Sequence, residues 1–265
     1  MKKIGLIAVT LALVLTTFGC KKTERINPVE ALKQRGTFVL GLDDSFPPLG
    51  FRDDNNEIVG YDIDLAKEVA SRLGVEFRAQ PIDWSAKEVE LETKKIDCIW
   101  NGFTITDERK EALSMTFPYL NNAQVVVVRK DSGITTLDDM KNKIIGIQSG
   151  SSAQEAVDGN PDFKYSLKET VPFPNNVTAL NDLKIGGVDG VVMDFVVAEY
   201  SIAQTGEPFV ILSESLAPEQ YGIGFRKDEP ELRDKVEEIL KEMVEDGTVA
   251  SISQKWFNKN ISVIE

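Results

Sequence analysis

Two α/β lobes are the architecture that this 265-residue sequence predicts. From Pro28 onward, short β-branched runs alternate with stretches of helical periodicity, the order of βαβ units built on a mainly parallel sheet. The alternation comes in two sets, the second opening at Gln124, and no internal repeat of about 20 to 50 residues interrupts it. Thr37 to Leu42 is the first strand, followed by the turn-rich Asp43-Asp44-Ser45-Phe46-Pro47-Pro48. Ile63, Ala66, Val69, Ala70 and Leu73 recur at helical spacing and stop at Gly74, so residues 62–73 form an amphipathic helix with a C-terminal glycine. A strand over 75–79, a helix over 86–95 and a strand over 96–100 complete the first set. The second set has strands over 125–128, 143–147, 188–193 and 209–212, with helices over 151–158, 176–185 and 195–203. A last strand over 221–226 precedes a long amphipathic helix over 229–245 and a helix over 249–257 carrying Trp256. No strand follows this tail, so the pattern alone leaves open which lobe it packs on.

Composition narrows the function. Apolar residues make up 42% and charged residues 28%, the profile of a soluble globular protein. The 43 acidic against 30 basic residues give a net charge of -13, which repels a phosphate backbone; no nucleic-acid partner is expected. There is no histidine, which removes the commonest general base, the Ser-His and Cys-His nucleophile pairs and the usual ligand of catalytic zinc. The two cysteines, Cys20 and Cys98, have no Cys-x-x-Cys spacing. No catalytic residue, metal or cofactor is expected.

Met1-Lys2-Lys3 followed by an uncharged stretch from Ile4 to Phe18 reads as a secretory signal over 1–19, too short to be a spanning helix. Leu-Thr-Thr-Phe-Gly-Cys at 15–20 resembles the lipobox of bacterial lipoproteins, although Thr17 and Phe18 depart from it. That resemblance implies lipidation, including a palmitate, at Cys20, a tether over 20–27 and a chain held on the outer face of the cytoplasmic membrane, or in the periplasm where there are two membranes. An ordinary cleaved signal with an incidental cysteine is the alternative.

Polar residues able to recognise a ligand collect where strands end, the place where open α/β sheets bind ligands. The segments are Asp43 to Pro48, Asn101 to Arg109, Ser149 to Ala153, and Asp194. Arg109 offers a planar fork for a carboxylate, or else pairs at the surface with Asp107 or Glu108. Gly150-Ser151-Ser152 opens a helix whose free N–H groups suit an anion, or a serine simply caps it. Asp194 receives a cation, or caps the next helix. Together the three suit a free amino acid, with its carboxylate and its ammonium both held.

The wording of Gly-Tyr-Asp-Ile-Asp-Leu-Ala at 60–66, Ile-Asp-Cys-Ile-Trp-Asn-Gly-Phe-Thr-Ile-Thr-Asp-Glu-Arg at 96–109, Gly-Ile-Gln-Ser-Gly-Ser-Ser at 146–152 and Tyr-Gly-Ile-Gly-Phe-Arg-Lys at 221–227 resembles the polar amino-acid family of bacterial solute-binding proteins of ABC importers. The resemblance runs from about Gly36 to Phe257. It implies a periplasmic-binding-protein type II fold: two Rossmann-like α/β lobes joined by a two-strand hinge, with the ligand in the interlobe cleft. By position, one lobe is 28–120 plus 222–265, the other 125–217, and the hinge is 121–124 plus 218–221. It further implies that Arg109 clamps the α-carboxylate with Thr104 and the N–H of Ser152, while Asp194, the Gly102 carbonyl and the Thr104 hydroxyl hold the ammonium. Relatives often have Ser at the Gly102 place, and only the carbonyl is needed there. Phe46 and Trp84 match aromatic positions on either side of the ligand, Trp84 having core packing as its alternative role. Asp43, Asp44, Asp62 and Gln148 line the far end, with turn formation and capping as the alternative for the acids; the lean is to a polar or cationic side chain such as arginine or lysine. The implied partners are a membrane permease with its ATPase, and the protein is expected to be a monomer. Two alternatives stand beside this reading: a cyclohexadienyl dehydratase on the same fold, with a carboxyl group as general acid, and an amino-acid sensor.

Overall fold

The computed structural model describes residues 26–265; the signal segment and Cys20, with the lipid anchor they imply, lie outside the described residues. Helix α1 (Pro28–Arg35) leads into β1 (Thr37–Leu42), and a small antiparallel ribbon of β2 (Ser45–Phe46), β3 (Gly50–Arg52) and β4 (Ile58–Val59) precedes α2 (Tyr61–Leu73). Next come β5 (Glu76–Pro81), a 3₁₀ turn at Trp84–Ala86 that runs into α3 (Lys87–Glu92), β6 (Cys98–Thr104), α4 (Asp107–Ala112) and β7 (Leu113–Met115). Strand β8 (Leu120–Arg129) crosses to the second half: β9 (Ile144–Gln148), α5 (Ser152–Asp158), α6 (Pro161–Ser166), β10 (Glu169–Phe173), α7 (Asn176–Ile185), β11 (Gly190–Asp194) and α8 (Phe195–Thr205). Strand β12 (Phe209–Arg226) crosses back and is followed by α9 (Pro230–Glu245) and α10 (Thr248–Phe257).

Each half has its own parallel set, β5-β1-β6 in the first and β10-β9-β11 in the second. The two crossing strands pair antiparallel with each other and with the inner edges of both sets, β11 to β8 and β12 to β6. Hydrogen bonding therefore runs without a break through the order β10-β9-β11-β8-β12-β6-β1-β5.

Strands buried on both faces explain the uninterrupted apolar runs. Phe38, Leu40 and Leu42 pack with Ile63, Ala66, Val69 and Ala70 of α2, while Val39 faces Leu91 and Ile96 on the other side. In Val125 to Val128 the residues alternate in the same way, Val125 and Val127 into the main core and Val126 and Val128 into the core of the second half. Helix α2 ends at Gly74, whose φ of +75° is a left-handed cap.

The structure revises several boundaries. The third strand does not stop at Trp100 but runs to Thr104, so Asn101, Gly102 and Thr104 lie in β6 itself. The strands expected over 209–212 and 221–226 are one ladder, β12, whose register shifts between Ile211 and Ala217. Helix α1, helix α6 and strand β10 had no sequence expectation. Helices α9 and α10 pack against α2, and α9 also against α1, so the tail covers the first half. Among the described residues no helix is long and apolar enough to cross a membrane, and no group of three or more His, Cys, Asp or Glu side chains is placed to hold a metal ion.

Asp97, just before β6, ties the first half together. Its Oδ2 accepts from Val39 N (2.8 Å) and Arg35 Nη2 (2.6 Å), and Arg226 Nη2 lies 3.5 Å from Oδ1. Arg226 also donates to the carbonyls of Leu91 and Ile96. Removing one partner of a buried charge network leaves the others uncompensated. Asp97→Ala is expected to cost about 3 kcal/mol, read as a lower urea midpoint at unchanged slope.

Candidate functional site

The C-terminal end of β1, the extended end of β6 and the loop after β9 meet with the residue that closes β11. Between them lies a cavity of about 280 Å³ lined by Asp43, Phe46, Trp84, Asn101, Gly102, Thr104, Arg109, Gln148, Ser151, Ser152 and Asp194. Arg109, Thr104, Gly102, Ser152, Asp194, Phe46, Trp84, Asp43 and Gln148, to which the sequence reading gave ligand contacts, all lie in this lining. Asn101 and Ser151 join them. Asp44 and Asp62 do not: Asp44 turns away to pair with Arg52 at 2.6 Å, and Asp62 is fully buried beneath β6.

Arg109, in the first turn of α4, is 8% exposed. Its Nη1 donates to the Thr104 carbonyl at 2.8 Å, and its guanidinium lies 4.3 Å from the centroid of the Phe103 ring. Asp107 pairs with Lys110 instead, and among the described residues no carboxylate lies within ion-pair distance of Arg109. Burial depresses its pKa from the usual guanidinium value, opposed by the charges of Glu155, Glu88, Glu219 and Asp194. A buried cation with only a carbonyl and a ring for company is a ready receptor for an anion.

Asp194 occupies the N-cap position of α8, but its side chain makes no capping bond. Its Oδ1 accepts from Tyr221 OH and from Asn122 Nδ2, each at 2.7 Å. Burial first, and the Glu219 charge second, raise its pKa to about 7, while the Tyr221 hydroxyl opposes the rise. Ser151 performs the capping expected of this serine-rich turn, its hydroxyl accepting from Ala153 N at 3.3 Å. Ser152 is thereby left to face the cavity, and its hydroxyl lies 3.0 Å from that of Thr104.

Gly102 is more constrained than the need for a carbonyl implies. Its φ is +55°, and a β-carbon there would come within 2.7 Å of Leu49 Cδ1 and 2.9 Å of Phe46 Cε1. The absent side chain thus makes room for the Phe46 ring. Asp62 Oδ2 accepts from Gly102 N at 2.8 Å and from Tyr119 OH at 2.9 Å, and burial raises the Asp62 pKa to about 7. Asp62 therefore supports the backbone of the site from behind.

At the far end Asp43 Oδ1 accepts from Ser45 N and Oγ, and Oδ2 accepts from Gln148 Nε2 at 2.7 Å. Burial raises its pKa, and these donors oppose the shift. Trp84 both lines the cavity and packs edge-on against Phe103 at 5.8 Å, so it combines the two roles considered for it. Hydrogen bonds from Thr104 to Ser152, from Gln148 to Asp43 and from Lys87 Nζ to the Gly150 carbonyl at 2.9 Å span the two halves, as does the ring contact of Phe51 with Tyr200 at 6.1 Å.

Sequence reasoning missed the polar residues on the crossing strands: Asn122 and Gln124 of β8, and Glu219 and Tyr221 of β12. The available signal was their spacing of two, which puts each pair on one face of its strand.

Residues 38–259 match the model of the bacterial extracellular solute-binding proteins, family 3. The chain is 33% identical over 263 residues to the ABC transporter arginine-binding protein 1 of Escherichia coli (strain K12), covering 97% of this chain and 99% of that one. It is 28% identical over 260 residues to the L-cystine-binding protein of the same strain, covering 97% and 95%. A crystal structure of an ABC uptake transporter substrate binding protein from Streptococcus pneumoniae with bound histidine superposes with a TM-score of 0.86 at 36% identity, covering 88% of this chain and 97% of that one.

The surroundings of Asp194 have a direct readout. In a carboxyl-carbon NMR titration Asp194 is expected to titrate at about 7. Tyr221→Phe removes the hydroxyl that favours the ionised form, so it should move the midpoint upward by about one pH unit. A midpoint near 4, the ordinary carboxylate value, would contradict the burial described.

Proposed function

Because the chain belongs to the bacterial extracellular solute-binding proteins, family 3, we propose that its cavity captures one free L-amino acid for delivery to an ABC permease and releases it chemically unchanged. The observation that carries this reading is the Arg109 guanidinium, buried without a carboxylate partner among the described residues, in the same cavity as the non-capping carboxylate of Asp194. An α-carboxylate satisfies the first, with Thr104 and the Ser152 N–H assisting. An α-ammonium satisfies the second, with the Gly102 carbonyl and the Thr104 hydroxyl. Phe46 and Trp84 would flank the side chain, and Asp43 with Gln148 would meet its end. Once the zwitterion has used Arg109 and Asp194, Asp43 remains as a surplus acid in the lining, which favours a polar or cationic side chain such as that of arginine or lysine.

The lobes are residues 28–120 with 222–265, and 125–217; the hinge is 121–124 with 218–221, on the crossing strands. Since the lining comes from both lobes, a ligand that touches both stabilises the closed form over the open one. Cys20 is proposed to be lipidated after signal cleavage and to hold a monomer at the outer face of the membrane, within reach of the permease.

A thermal-shift screen of the chain from Lys21 onward, refolded to strip carried ligand, against the twenty amino acids, ornithine and cystine tests the reading. A native-state ligand at a hundred times its Kd adds about 2.7 kcal/mol of stability. Arginine, lysine or ornithine should give the largest shifts, and Arg109→Ala should weaken the best ligand about a hundredfold. Absence of any shift would overturn the reading. For the anchor, Cys20→Ser should move the protein from the membrane fraction to the soluble one and abolish incorporation of a palmitate analogue.

A further inference from the structure

Glu219 of β12 does not line the cavity, yet three donors, one from β6 and two from β8, converge on one of its oxygens. Thr104 Oγ1, Asn122 Nδ2 and Gln124 Nε2 all donate to Oε2, at 3.1, 3.1 and 3.0 Å. An ionised carboxylate only accepts, so the directions of these bonds are set. With the Thr104 proton on Glu219, the 3.0 Å contact between Thr104 and Ser152 must be donated by Ser152, and Ser152 in turn accepts from Gln124 Nε2 at 3.3 Å. The bonds run from Gln124 to Ser152 to Thr104 to Glu219, and the Thr104 oxygen keeps one lone pair that no protein donor uses.

Asn122 shares the two hydrogens of its amide between Asp194 Oδ1 at 2.7 Å and Glu219 Oε2 at 3.1 Å. It can do so because Asn122 and Glu219 are direct register partners across β8 and β12. Two carboxylates are thus strapped side by side behind the place proposed for the ammonium.

We propose that Glu219 is a positioning and recognition residue of this site: it turns the Thr104 hydroxyl into an acceptor and puts a second negative charge behind Asp194, so that a ligand ammonium is held by a carboxylate pair. The inference rests on the amino-acid reading above. The charged and titratable groups acting on Asp194 are Glu219 and Tyr221 from β12 and Arg109 from α4; β8 contributes only the amides of Asn122 and Gln124. Protonating Asp194 removes its attraction for an ammonium, so affinity should fall as the pH drops below about 7. Removing the like charge of Glu219 lets Asp194 lose its proton more readily, so the fall should come at lower pH.

Isothermal titration with L-arginine from pH 5.5 to 8.5 tests this on the parent, Glu219→Gln and Glu219→Ala. At pH 8, Glu219→Gln is expected to bind about tenfold more weakly and Glu219→Ala about a hundredfold, the second having also lost the acceptor that orients Thr104. The acid midpoint of the Glu219→Gln profile should lie about one pH unit below that of the parent. A loss of affinity with no movement of the midpoint, or no loss, would overturn the inference. The Asp194 carboxyl-carbon titration of the unliganded Glu219→Gln protein should show the same downward movement; an unmoved midpoint there overturns the inference without reference to any ligand. Failure of the parent to bind any amino acid would instead overturn the amino-acid reading.

Discussion

Opposite charges in a water-poor cavity attract strongly, and the simplest way to bury an arginine and an aspartate is to let them pair. Here the fold buries both and withholds the pairing. Arg109 is held by the Thr104 carbonyl and lies against the Phe103 ring, while Asp194 is held by Tyr221 and Asn122. Each charge is partly compensated by neutral groups and completed by nothing else in the cavity. Such an arrangement is costly for the protein alone and suits a molecule that carries both opposite charges on groups attached to one carbon. The surrounding architecture serves this separation: β6 and α4 bring Arg109 from one half, and β11 brings Asp194 from the other.

The two crossing strands connect that separation to the proposed hinge. Among the described residues, strands β8 and β12 are the only route by which the chain passes between the parallel sets, and they carry Asn122, Gln124, Glu219 and Tyr221 directly behind the site. The groups that orient Thr104, Ser152 and Asp194 are therefore on the segments proposed as the hinge. On the proposed hinge, a rotation would change the hydrogen bonds that prepare the site, so that opening would also loosen recognition. The Lys87 contact with Gly150 and the Asp43 contact with Gln148 act farther from the hinge, where the two halves meet.

Helices with a clear apolar stripe were legible with errors of a residue or two. Residues 62–73 were expected and α2 spans Tyr61–Leu73, because the spacing of Ile63, Ala66, Val69 and Ala70 is a local property and Gly74 ends it in the left-handed region. The end of β6 was misread since Asn101 and Gly102 are poor strand formers. Pairing of Phe103 and Thr104 with Gly222 and Tyr221 of β12 carries the strand past them all the same. Strand β10 and helix α6 were missed because their sequences are short and polar, and they are held by docking on β9 and α5.

By itself the sequence determined the two α/β sets, the absence of histidine chemistry and, through residues at strand ends, the placing of Asp43, Phe46, Gly102, Thr104, Arg109, Ser152 and Asp194 around one cavity, while Trp84 and Gln148 came from the family resemblance. These follow from local periodicity and from the rule that strand ends converge. Only the tertiary structure decided which acids line the cavity. Asp44 and Asp62 carry the same functional group as Asp43 and Asp194, but one is neutralised by Arg52 at the surface and the other lies beneath Gly102. Likewise Glu219 lies 115 residues from the Thr104 hydroxyl it receives. Partners that far apart are brought together by strand register, which no local pattern encodes.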